Sequence, residues 1–272
     1  MMELTVNGAK TYCYTGGKAF DAAKPTVVFV HGVLNDHSVW ILQTRYLAHH
    51  GFNVLAIDLP GHGRSGGEAP QTVEQAADFI VALLDAAGVE RAALVGHSWG
   101  SLIVLQAASQ LKARISHLAL VGTAYPMKVS QMLLDTSLNE PEKGIAMINV
   151  LSRSSLAPPP SALGPGTWVF GANLALNRRI LKSNTAVNLF HRGFMACHNY
   201  ANGDQAISKL SCPVLFLLGL QDQMTQPRSA QALIDKANAS RVKVRVVNLQ
   251  VGHHQMTEAP EETLKALKDF LV

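Results

Sequence analysis

Five short apolar runs pace the chain: Thr26–Val30, Asn53–Asp58, Ala92–Val95, His117–Val121 and Pro213–Gly219. Runs this apolar have no face to offer water, so they predict strands of a parallel sheet covered by helices on both sides. Helical segments fall between them. One runs from Ser38 to about His50. A second opens on a Thr72-x-x-Gln75 capping box and stops at Gly88. A third runs from Trp99 to about Leu111, and two more, Pro227–Ala239 and Pro260–Val272, flank a strand over Val242–Leu249. Leu4–Tyr14 reads as a hairpin or edge strand, with turns at Gly8 and Gly16-Gly17. The rhythm breaks between Ala124 and about Gln205, where Pro158-Pro159-Pro160 and Gly164-Pro165-Gly166 interrupt helix-like stretches. The expected organisation is a mostly parallel, doubly wound α/β core of residues 1–123 and 206–272, with a helical insertion over 124–205.

With 272 residues, 48% of them apolar and 15% charged, the chain can bury a large core. The net charge of +4 comes from scattered Lys and Arg with no basic tract of five, which excludes a nucleic-acid partner. Cys13, Cys197 and Cys212 cannot all pair and show no CxxC spacing, so reduced thiols and a cytoplasmic location are expected. MMELTVNGAK is not an apolar leader, and no apolar run is long enough for membrane insertion. A small-molecule substrate is the expected partner. The oligomeric state stays open.

Chemistry concentrates at Gly96-His97-Ser98-Trp99-Gly100, placed between a strand and a helix. A tight turn there projects the Ser98 hydroxyl above the sheet. The Trp99 amide, at the helix N-terminus, faces a position where negative charge is favoured. With this motif the chain resembles the α/β-hydrolase family, serine hydrolase and esterase branch, over nearly all its length. The family orders its triad nucleophile, acid, histidine. Gly219-Leu220-Gln221-Asp222 resembles the acid loop, and Gly252-His253 with Glu258 and Pro260 resembles the histidine loop. The resemblance thus implies Ser98 as nucleophile, Asp222 as acid and His253 as base. His254 is the alternative base, and the spacing to Glu258 and Pro260 favours His253. The family's other acid position, after the strand His117–Val121, reads Gly122-Thr123-Ala124-Tyr125 and holds no carboxylate.

His31-Gly32-Val33 resembles the family's oxyanion loop, so the backbone N–H of Val33 joins that of Trp99 as the second oxyanion donor, with His31 anchoring the loop. Asn35, Asp36 and His37 either line the pocket floor or form an ordinary polar turn. The insertion resembles the family's cap, rich in apolar residues. Leu34, Tyr125, Met127, Trp168, Phe194, Met224 and His254 are the expected pocket residues.

Gly61-His62-Gly63-Arg64-Ser65-Gly66 matches a dinucleotide fingerprint, but Pro60 precedes it and the helix starts only after Pro70. Asp78 and Asp85 lie inside a helix, where a ribose-binding acid should end a strand. The run from Asp58 to Ser65 reads instead as a turn braced by an Asp58–Arg64 ion pair. No cofactor is implied, and no metal site either: His253 and His254 are adjacent, and HExxH is absent. Ser98 disfavours haloalkane dehalogenase and epoxide hydrolase chemistry, which uses Asp there in this family. The leading expectation is hydrolysis of the carboxylic ester of a small, largely apolar substrate through an acyl-enzyme. Thioester or carbon–carbon bond hydrolysis needs the same machinery, and perhydrolysis is a minority reading. Trp99-Gly100-Ser101 also resembles proline iminopeptidases, but their His-Gly-Gly-Pro-Gly loop is missing. A non-turnover small-ligand sensor is the alternative of another class.

Overall fold

The computed structural model describes residues 1–21, 23–153 and 169–272. The eight strands are β1 (Met2–Val6), β2 (Ala9–Tyr14), β3 (Thr26–Val30), β4 (Asn53–Ile57), β5 (Ala92–His97), β6 (Ile115–Val121), β7 (Val214–Gly219) and β8 (Val244–Leu249). They form one sheet in the order β1-β2-β4-β3-β5-β6-β7-β8. The β1–β2 hairpin joins β4 antiparallel, and every pairing from β4 to β8 is parallel.

Successive side chains of the central strands point to opposite faces, and two cores result. Val28, Val30, Leu55, Ile57, Leu94, Leu120 and Phe216 enter one core. Val27, Phe29, Val54, Ala56, Val95, Val121 and Leu217 enter the other. The first is roofed by α2 (Val73–Ala86), α3 (Trp99–Leu111) and α9 (Gln231–Ala239). The second is roofed by α1 (Ile41–His49) and α11 (Pro260–Leu271). β8 departs from this pattern. None of its residues is fully buried, because it is an edge strand, and it starts two residues later than its sequence suggests. The α2 cap also differs in detail. Thr72 Oγ1 accepts from Gln75 N at 3.1 Å, but the Gln75 side chain accepts from Gln71 N at 2.8 Å instead of Thr72 N.

The chain moves outward from β3 to β4 and then returns to β5 on the other side of β3. This reversal opens a crevice beyond the strand ends, where ligands of open α/β sheets bind. The loops after β3 and β5 therefore meet there. Helices α4 (Gln131–Asn139), α5 (Pro141–Leu151), α6 (Val169–Ser183) and α7 (Leu189–Asn199) follow β6 and build a third core around Ile145, Ile180, Phe190 and Phe194. The segment is not uniformly separate. Ala196, Cys197, Tyr200, Ala206 and Ile207 belong to the core under α3, and α8 (Gly203–Ser208) runs through the position 205/206 boundary. Pro158–Pro160 and the turn at Gly164–Gly166 lie outside the described residues. The three cysteines are free and buried. Among the described residues no helix is long and apolar enough to cross a membrane.

Candidate active site

The turn between β5 and α3 is made possible by close backbone approach. A Cβ at Gly96 would collide with the Gly100 carbonyl, and one at Gly100 would lie 2.5 Å from Val30 O and 2.6 Å from His31 O. With both Cβ atoms missing, α3 starts hard against the end of β3. Ser98 then takes φ 54°, ψ −121°, a strained backbone for a residue with a side chain. Ser98 N donates to Val121 O at 2.9 Å, and Ser101 N and Oγ both donate to Ser98 O, locking the bend.

After β3, His31 Nδ1 donates to Gly32 O at 2.8 Å and His31 Nε2 accepts from Leu59 N at 3.2 Å. The ring ties this loop to the end of β4, the anchoring expected of it. A Cβ on Gly32 would stand 3.2 Å from Ser98 Cβ, so the loop lies directly beside the elbow.

The loops after β7 and β8 bring Asp222 and His253 together, both buried, with Asp222 Oδ2 2.8 Å from His253 Nδ1. Met224 N and Thr225 N donate to Asp222 Oδ1, each at 2.8 Å, and Thr225 Oγ1 donates to Oδ2 at 2.7 Å. Burial by itself would raise this carboxyl's pKa. The His253 ring and the Thr225 donors outweigh it and hold the group below its ordinary value. Asp222 therefore stays ionised and fixes the proton on Nδ1, leaving Nε2 as the basic nitrogen.

His253 is itself clamped. Its N–H donates to Ser152 O and its carbonyl accepts from His97 Nε2, both at 2.8 Å. Glu258 receives Gly252 N and His254 N at 3.2 and 3.3 Å, so the acid of the histidine loop shapes its backbone. Burial, then the neighbouring His253, pushes the His97 ring down to about 3, and it stays neutral. His254 is also buried and held well below its ordinary value, first by burial and then by Arg153. Its Nε2 lies 3.5 Å from Asn173 Nδ2.

Ser98, His253, His254, Asn35, Phe194 and Met224 line one small cavity, and Ser98, Met127, Phe194 and Met224 line a larger one. The structure thus brings Ser98, Asp222 and His253 together, with Val33 lining both cavities and Trp99 following Ser98 at the start of α3. It places Met127, Phe194, Met224 and His254 around them. Two expected pocket residues are elsewhere. Leu34, at φ 54°, turns inward and is fully buried in the α4–α7 core. Tyr125 packs under Gly203 and donates to Ala201 O at 2.7 Å, which removes it from both cavities. Trp168 lies outside the described residues.

The braced turn also needs correction. Arg64 makes no ion pair with Asp58. Its guanidinium lies 4.9 Å over the Tyr12 ring and bonds the Tyr12 hydroxyl. Asp58 Oδ2 accepts instead from Arg64 N at 2.9 Å, and Oδ1 accepts from His37 N at 2.9 Å and Nδ1 at 2.7 Å. Asp36, His37 and Asp58 form a compact group of metal-ligand type. Its oxygens are already engaged, with Asp36 bonded to Ser38 and paired with Arg179 at 2.7 Å.

Sequence reasoning missed four supports: His97, Ser152, Thr225 and a chain of buried asparagines. Asn173 Nδ2 donates to Asn149 Oδ1 and Asn149 Nδ2 to Asn177 Oδ1, both at 2.7 Å. Asn177 Nδ2 then donates to Leu34 O at 2.9 Å, next to Val33. Only Thr225 carried a local signal, a hydroxyl residue three positions after an Asp, as in side-chain-capped turns.

A family model described as alpha/beta hydrolase fold matches residues 25–153. The acetyltransferase component of an acetoin cleaving system from Cupriavidus necator is 38% identical over 112 residues, which is 41% of this chain and 28% of that protein. Lipase LipV from Mycobacterium tuberculosis is 32% identical over 120 residues, 43% of this chain and 44% of that protein. The chain thus spans less than half the length of these two curated relatives. An esterase from Exiguobacterium antarcticum superimposes with a TM-score of 0.82 at 15% identity, covering 99% of this chain and 98% of the other. The chain has the α/β-hydrolase fold.

Proposed function

We propose that this chain is a serine hydrolase that cleaves a carboxylic ester of a small, largely apolar substrate. The observation that carries the proposal is the Asp222–His253 pair, 2.8 Å apart and buried, with His253 lining the same cavity as Ser98. Ser98 Oγ attacks the carbonyl carbon while His253 Nε2 takes its proton. The Val33 and Trp99 amides stabilise the oxyanion, an interaction worth about 3 kcal/mol for each well-placed donor. His253 then gives the proton to the departing alcohol, and water repeats the sequence on the acyl-enzyme. The described residues of 124–205 act as the lid over this site and supply most of its apolar walls, among them Met127, Leu133, Ile148 and Phe194. The lipase and esterase among the similar proteins support the same class of reaction.

A fluorophosphonate should label Ser98, with mass spectrometry locating the adduct. Ser98→Ala should lower aryl ester turnover by about 10³-fold or more with the fold intact. A variant keeping a tenth of the activity would remove Ser98 from the mechanism. Absence of turnover across an ester and thioester panel would favour the ligand sensor.

A further inference from the structure

The two cavities that touch Ser98 differ in size and in the catalytic groups they reach. One measures about 30 Å³ and is lined by Asn35, Asn177, Ser152, His253 and His254 together with apolar Ile148. The other measures about 270 Å³ and is lined by Met127, Val129, Leu133, Leu151 and Cys197, with Lys128, Ser130, Gln223 and Thr225 at its polar side. Val33, Phe194 and Met224 border both and form the partition.

The geometry points to an ester with a small leaving alcohol and an extended apolar acyl chain, and this inference rests on the serine-hydrolase reading above. The assignment of arms follows from proton transfer. During acylation the Ser98 Oγ–carbon bond forms and the serine proton moves to His253 Nε2. The carbon–alkoxy bond then breaks as that proton passes to the departing oxygen. The departing oxygen must therefore lie within hydrogen-bond reach of His253. His253 lines the small cavity and not the large one. The acyl group stays bonded to Ser98, and the large cavity reaches Ser98 while avoiding His253.

Size agrees with this division. A volume of about 30 Å³ holds roughly one or two water-sized groups, enough for a methoxy or ethoxy group but not for a long alkoxy chain. His254 Nδ1 is buried without a hydrogen-bond partner among the described residues, and an alcohol oxygen in the nook could offer it one. Once the alcohol leaves, the same nook, where His253 and Asn35 offer polar atoms, suits the incoming water. That water gives a proton to His253, adds to the acyl carbon and releases the acid, and the proton returns to Ser98.

Methyl octanoate and heptyl acetate are isomers that exchange the long arm between acyl and alcohol sides. The expected result is a kcat/KM at least about tenfold higher for methyl octanoate, the range over which pocket fit discriminates alkyl groups. Leu151→Trp, which narrows the large cavity at a half-buried position, should lower turnover of methyl octanoate much more than that of methyl acetate. Equal rates on the isomers, or a preference for heptyl acetate, would overturn the assignment. Fluorophosphonate labelling of Ser98 without turnover of either isomer would overturn it alone. Neither labelling nor turnover would overturn the serine-hydrolase reading together with it.

Discussion

Two strands of the sheet end in a buried aspartate that grips a histidine through Nδ1. After β4, Asp58 meets His37 at 2.7 Å, and after β7, Asp222 meets His253 at 2.8 Å. Both carboxyls also accept two backbone N–H groups. In each, burial would raise the pKa and the histidine with its neighbouring donors brings it down. By distance and charge alone the pairs are nearly equivalent. They differ in what lies beyond the imidazole. His37 packs against the rings of Tyr12 and Tyr14, with centroids 4.7 and 5.8 Å away. His253 borders the cavity that holds Ser98. An Asp–His pair is therefore a common way to brace a loop, and it gains chemistry only where topology sets it next to a strained serine.

The sharpest way to break this contrast is at the imidazoles. His253→Ala should lower ester turnover by about 10⁴-fold or more, as losses of a triad base do. His37→Ala and His254→Ala should each cost far less than that. Steady-state kinetics on one aryl ester compares the three, and a large loss in either of the latter would reassign the base. The carboxylates come next. Asp222→Asn should cost about 10³–10⁴ in turnover, because the amide favours the wrong imidazole tautomer. Asp58→Asn should leave turnover within about tenfold and instead destabilise the fold by a few kcal/mol, since it disturbs a buried carboxylate with three donors. Urea unfolding and kinetics on both variants separate the effects. Should Asp58→Asn stay folded and lose more turnover than Asp222→Asn, the roles are exchanged.

Acid should weaken both regions alike. His97 stands behind His253 and His62 stands near Asp58, and burial pushes each to about 3. The unfolded value is about 6.5, so below that pH the unfolded chain binds protons that the native chain refuses. The stability present above 6.5 is lost as pH falls. Each ring contributes about 1.4 kcal/mol per pH unit between the two values, so these two alone should take about 3 kcal/mol from the unfolding free energy between pH 7.5 and 5.5, and buried His31 and His254 add to the fall. The aspartates add their loss only at lower pH, below about 4. A flat profile across that window would mean that the rings titrate freely in the native state.

The parts of this site legible in the sequence are those whose signal is local. A run of five β-branched and apolar residues announces β3 wherever it packs, and Gly96 and Gly100 mark the elbow because no side chain fits there. Asp222 and His253 were readable because each ends a strand in a recognisable loop. Contacts between distant segments were not readable. Arg64 sits six residues from Asp58 and has the right charge, yet the Tyr12 ring, 52 residues away, takes its guanidinium. Asn149, Asn173 and Asn177 look like polar interruptions in apolar helices, and only the folded chain reveals them in one line. The two cavities depend on which of several apolar residues stand between them, a property of packing that no spacing records.

That line of asparagines has a consequence for how often the site is open. Moving α5 and α6 off the sheet as a unit would sever the bonds from Asn177 to Leu34 O, from Asn173 to His254 and from Ser152 O to His253 N. At about 1 kcal/mol apiece, the three together leave fewer than about one molecule in a hundred with the helices lifted. At equilibrium nearly every molecule then holds Ser98 behind walls formed by Met127, Met224 and Phe194. Thioether side chains, unbranched and with three rotatable bonds, are suited to opening a path while the walls stay where they are.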